Sequence, residues 1–288
     1  MKPADILAAL AVTLIWGLNF AVGKVGVGQF PPLLMTAIRF SLVALALIWF
    51  VPRPAGRMAQ VALLSVTFGS LHFGLTFVGL SGVDAAAAAI VMQLTVPFGV
   101  LLAWLVLGDR FGGRRTLGLV IAFSGVVILA GEPAGESGQF HLALLVAAAF
   151  AWGVANIQIK KIGRINVFAL NAWMGLFAAP QLILASALLE SGQLAAMENA
   201  DWMGWGAILY MVLGGSITAY GMWYYLIEKY EVSRILPFTF LAPVIGVAAG
   251  IGLLGEALTW EKAAGGLITM LGVAVIQLRW RRPAGPAA

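Results

Sequence analysis

The 288-residue chain contains no cysteine. Disulfides and thiolate metal sites are therefore excluded, and the redox compartment leaves no trace in the sequence. Charge is scarce as well: Asp, Glu, Lys and Arg make up 10% of the residues, against about 25% in a typical soluble domain. Histidine occurs only at His72 and His141. HExxH, a nucleophile elbow and a nucleotide-binding loop are all missing, so nothing points to an enzyme or asks for a cofactor or metal. What the chain has in abundance is apolar: 61% of its residues are hydrophobic.

Apolar runs of about 20 residues, the length that crosses a hydrocarbon core, fall at 5–23, 33–50, 58–80, 84–106, 115–131, 141–160, 168–188, 204–227, 233–253 and 262–280. The runs are continuous, not alternating, which favours helices over the strands of a barrel. The expectation is an all-α integral membrane protein with ten transmembrane helices. The stretch after Lys2 reads as the first of them and not as a signal peptide, since no small-residue cleavage site follows it. The net charge of +5 does not indicate a nucleic-acid partner, because the basic residues sit in short loops beside the spans. With ten crossings, 14 of the 17 Lys and Arg fall on the side of the N-terminus, Lys24 and Lys262 fall on the other, and Arg39 lies within a span. By the positive-inside rule both termini are cytoplasmic, in a plasma (inner) membrane.

The two halves repeat each other. Trp152, Gly153 and Lys160 follow Trp16, Gly17 and Lys24 by 136 positions (16 to 152). Gln93 and Pro97 pair with Thr239 and Pro243 at 146 (97 to 243), and Asp109 and Gly118 pair with Glu256 and Gly265 at 147 (118 to 265). The growth in offset points to an insertion in the polar loop near Glu190–Trp202. Residues 1–134 thus form one five-helix repeat and 135–282 a second, with a flexible tail at 283–288. Five is odd, so the second repeat enters from the opposite face and the repeats are inverted. That is a common plan of secondary transporters, with a substrate site near the midplane between the halves.

Candidate site residues follow from the spans. The first helix places Trp16, Asn19, Phe20 and Gly23 on one face, and the sixth places Trp152 and Asn156 at i, i+4. Trp16 and Asn19 are expected to face Trp152 and Asn156 across the midplane, although Asn also serves as packing glue between membrane helices. Arg39 lies about 10 Å from the outer end of the second helix at 1.5 Å per residue, close enough to snorkel outward or to meet a backbone carbonyl. The third helix aligns Ser65, Gly69, His72, Thr76 and Gly79; His72 is the one plausible protonation switch in the core, or else a neutral ring on a carbonyl. Pro97 and Pro243 each interrupt a helix, free the carbonyl of Gln93 or Thr239, and mark a kink or hinge beside the pocket. Ser216, Tyr220 and Tyr224 share a face of the eighth helix suited to an apolar cavity with hydroxyl donors. The fifth and tenth helices read as scaffold or dimer surface, which leaves a monomer or a homodimer.

Several of these residues resemble one family. Trp16-Gly17 with Asn19-Phe20, Arg39-Phe40, Pro97 before Leu107-Gly108-Asp109, then Trp152-Gly153, Pro243 and Leu254-Gly255-Glu256 are similar to the ten-helix EamA-type exporters of the drug/metabolite transporter superfamily. Asp109 stands where that pattern usually has Glu and keeps the carboxylate. The chain looks most like the YddG-type exporters, a resemblance that implies efflux of amino acids, aromatic ones included, and of some cationic drugs. The residues themselves agree with export of small, mostly neutral metabolites by alternating access. No span carries an interior Asp or Glu or a pair of basic residues, which makes nucleotide sugars and sugar phosphates poorer substrates than amino acids. Purines, a channel or a structural role are the remaining alternatives.

Overall fold

The computed structural model describes residues 1–108, 112–132 and 135–277. Asp109, Arg110, Arg279, Arg281, Arg282 and the 283–288 tail lie outside them. All regular structure among the described residues is helical. The spans are α1 (Pro3–Val27), α2 (Pro32–Phe50), α3 (Met58–Ser81), α4 (Ala85–Leu107), α5 (Gly113–Ala130), α6 (Gly138–Ile162), α7 (Val167–Leu189), α8 (Trp202–Lys229), α9 (Val232–Thr239 and Leu241–Leu254) and α10 (Trp260–Gln277). Nine are long and apolar enough to cross a bilayer. The tenth, α10, carries Glu261 and Lys262 in its first turn and lies along α5. A short helix, Gln193–Asn199, occupies the polar loop where the repeat offset grows.

Small residues set the packing, as expected where lipid supplies no hydrophobic drive between helices. A methyl group on Gly118 of α5 would lie 2.7 Å from Ile276 and 2.8 Å from the Gly272 carbonyl of α10. Gly265 of α10 meets the Gly125 carbonyl of α5 at 2.6 Å in the same way, and Leu129 beyond it. A shift of 147 (118 to 265, 125 to 272, 129 to 276) exchanges the two sets of contacts. The seam is therefore symmetric, and it spends the glycines of α5 and α10 on each other. The same exchange operates elsewhere: Gly17 of α1 closes on Ala242 and Ile245 of α9, while Gly153 of α6 closes on Phe98 and Leu102 of α4. The protein is a multi-pass membrane protein of two inverted repeats.

Charged groups near helix ends close the ends of partner helices. Gly255 takes the left-handed conformation at φ +71°, ends α9, and turns Glu256 back to accept from the Ala85 and Ala86 amides of α4 at 2.6 and 2.9 Å. Glu190 caps α2 through the Leu33 and Leu34 amides at 2.7 and 3.1 Å. Lys24 donates to the carbonyls of Leu80, Ser81 and Val83 at the end of α3. Amides at a helix start favour carboxylates and carbonyls at a helix end favour cations, so each charge meets the opposite partial charge.

Candidate functional site

Two spans widen in mid-course. Ser65–His72 of α3 and Tyr210–Thr218 of α8 are π-helical, and the repeat relates them (65 to 210, 72 to 218). Such turns are rare and concentrate at functional sites. In α8 the Ser216 hydroxyl donates to the carbonyl of Met211, five residues back, at 3.0 Å. Its oxygen then accepts from Arg39 of α2, from Nε at 3.3 Å and from Nη2 at 3.0 Å.

Arg39 is 3% exposed. It does not snorkel, and it does not rest on a backbone carbonyl, because α2 turns its inner face toward the π-helical part of α8. The guanidinium stands 4.5 Å above the Phe73 ring. Its Nη1 is buried without a hydrogen-bond partner. Asn19 of α1 faces the same space, and its Oδ1 is likewise buried and unpartnered. Between them lies Gly215, where a methyl group would be 3.4 Å from Asn19 Oδ1 and 3.9 Å from Arg39 Nη2.

Aromatic rings close the site on two sides. Trp16 packs against Tyr220 and Trp223 of α8, at 5.4 Å in each case. On the other side His72 is boxed by Phe68, Phe73 and Trp152 at 5.4, 4.7 and 4.8 Å. His72 Nδ1 donates to the Ala148 carbonyl of α6 at 2.9 Å, and Thr76 donates to the His72 carbonyl at 2.6 Å. Phe73 touches both groups, since its ring lies under Arg39 and beside His72.

Most of the expected residues thus gather, though not as pictured. Trp16, Asn19, Ser216 and Tyr220 stand with Arg39; Trp152, His72 and Thr76 stand together beyond Phe73; Tyr224 is half-buried one turn past Tyr220. The two tryptophans pack in separate ring clusters, Trp16 with Tyr220 and Trp223 and Trp152 with Phe68 and His72, and Asn156 is exposed one turn past Trp152. The rotation of α6 that buries Ala155 and Ile157 turns it outward. Gln93 and Thr239 are half-buried where α4 and α9 break, at Met92–Leu94 and at Phe240. Pro97 and Pro243 are each the third residue of the segment that follows, where the amide would lack an intrahelical partner in any case. Arg39, Phe73 and Gly215 line the site without being among the expected residues, and the charge of Arg39 inside a span is the signal in the sequence that points to it.

A separate cavity of about 300 Å³ opens near the start of α4, between Asp84, Ala87, Leu129, Glu132 and Leu142, and is lined by none of the expected residues. Beside it buried Lys262 of α10 is paired with Asp84 and, at 3.1 Å, with Glu132.

The profile of the EamA-like transporter family matches residues 4–131 and again 139–278. The chain belongs to the EamA-like transporter family. Both halves of this EamA-like transporter match one profile, in keeping with the exchange of contacts described above. A probable amino-acid metabolite efflux pump of Salmonella typhimurium (strain LT2) is 35% identical over 99% of each chain, and one of the same description in Escherichia coli (strain K12) is 33% identical over 98% of each. An uncharacterized inner membrane transporter of Escherichia coli (strain K12) is 25% identical over 97% of this chain and 92% of its own. A solved structure at 20% identity superposes with a TM-score of 0.61 over 96% of both chains, which shows the fold.

Proposed function

We propose that this EamA-like transporter exports small, mostly neutral metabolites, with amino acids, aromatic ones included, as its principal cargo. It acts in the plasma membrane with both termini in the cytoplasm. The observation that carries the reading is the site between the halves: beside two repeat-related π-helical turns, Arg39 of α2 and Asn19 of α1 each keep a buried unpaired polar atom near the rings of Trp16, Tyr220 and Phe73, the composition of a pocket for a small amphipathic solute. The descriptions of the relatives at 33% and 35% identity support the cargo class. Rocking of one repeat on the other, flexing where α4 and α9 break before Pro97 and Pro243, opens the site to each face in turn. Purified protein in liposomes loaded with unlabelled amino acids is expected to accumulate labelled amino acid by counterflow that saturates. Flux that rises linearly with concentration, or an ionic conductance without counterflow, overturns the proposal.

A further inference from the structure

Arg39 is the one charge in the central site, and among the described residues nothing neutralises it. Its contacts are the neutral hydroxyl of Ser216 and the rings of Phe73, Phe40 and Phe77, and among the described residues no carboxylate pairs with it. Lys24 and Lys262, the other cations on the outer side of the bundle, are occupied by carbonyls and carboxylates respectively. A guanidinium held at membrane depth with a bare N–H is expensive in any purely structural role, and a polar group so placed is by default functional. Asn19 supplies a complementary defect, a bare acceptor that approaches Gly215 from one side while the guanidinium of Arg39, through Nη2, approaches it from the other.

We propose that Arg39 and Asn19 together form the receptor for the backbone of an α-amino acid. Arg39 Nη1 binds the carboxylate, and Asn19 Oδ1 accepts from the ammonium. Planar guanidinium groups match carboxylates in charge and geometry, and a single such group suits a monoanion better than a phosphate dianion. A zwitterion satisfies both orphan atoms at once, whereas an amide leaves the guanidinium unneutralised and an amino-free acid leaves the Asn19 acceptor bare. The aromatic residues Trp16, Tyr220 and Phe73 then face the side chain, which tolerates variety. Ser216 holds the guanidinium through Nε and Nη2 and leaves Nη1 for the carboxylate.

The inference rests on the amino-acid cargo proposed above and is tested separately from it. The full chain in liposomes is assayed by counterflow with labelled L-serine, L-leucine and L-phenylalanine, against their α-amides and their amino-free acids as competitors. The amides are expected not to compete. Arg39→Gln is expected to raise KM for the amino acids about tenfold to a hundredfold, the usual loss of a charge-assisted contact, and Arg39→Lys to fall between. Asn19→Leu is expected to raise KM for amino acids while leaving inhibition by 3-phenylpropanoate unchanged. Amides that are carried as well as the acids by the unaltered protein overturn the receptor and leave the cargo class standing. So does an Arg39→Gln protein with an unchanged KM. A protein that moves no amino acid at all overturns the cargo class and the receptor with it. Should Arg39→Gln fail to fold, the amide competition and Arg39→Lys decide the matter.

Discussion

At the scale of single residues, Gly17 and Gly153 have no room for a side chain. A methyl group at Gly17 would stand 2.7 Å from the Ala242 carbonyl, and backbone cannot move aside as a side chain can. Gly17→Leu is expected to lower stability by about 1–3 kcal/mol, the usual penalty of overpacking, with Gly153→Leu doing the same. Gly99, which has nothing within 4 Å, is the control. Thermal melts in detergent measure all three, and equal melting of Gly17→Leu and Gly99→Leu would contradict the seam. His72 makes a different case. Its Nδ1–H bond to Ala148 ties α3 to α6, and the amide of glutamine can make the same bond. His72→Gln is therefore expected to keep both transport and its pH profile. A profile that flattens would instead assign proton coupling to His72.

Among the elements, α4 depends on a residue of another helix's end. Glu256 satisfies two amides at the start of α4 from beyond the C-terminus of α9, so the end of α9 and the start of α4 are fastened together. Glu256→Gln keeps the shape, loses the charge against the helix dipole, and leaves one amide contact weakened. It is expected to destabilise the protein by about 1 kcal/mol and to speed amide exchange at Ala85 and Ala86, measurable by hydrogen–deuterium exchange. Unchanged exchange would show that the cap is dispensable. The breaks in α4 and α9 were legible at this scale from the mid-span prolines Pro97 and Pro243, which disfavour a regular helix just before them, whereas α7 runs unbroken through Pro180. The π-helical turns of α3 and α8 were not. Nothing in Ser65–His72 or Tyr210–Thr218 forbids a regular α-helix, and the extra residue per turn is accommodated by neighbours: α7 and α6 beside the first turn, α1 and α2 beside the second.

For the whole molecule, the arrangement of basic loops predicts which face each loop occupies. The absence of cysteine makes the test clean, because single cysteines are read against no background. In intact cells, Glu198→Cys in the short helix between α7 and α8 is expected to react with a membrane-impermeant maleimide, and Lys161→Cys at the end of α6 only after permeabilisation. The reverse pattern would invert the topology. Ten spans, their division into two inverted repeats and the family were determined by the sequence itself, because a bilayer demands long apolar segments and a duplicated chain keeps its spacing of Trp-Gly, Pro and Gly. The tertiary structure alone decided the interior of the site. Asn156 left the pocket, the two tryptophans parted company around Phe73, and Arg39 turned inward to Ser216. The physical reason is that hydropathy reports whether a segment sits in lipid, whereas the rotation of each helix about its axis follows from how glycine seams and ring contacts interlock. That rotation selects which few polar groups are left bare at the centre.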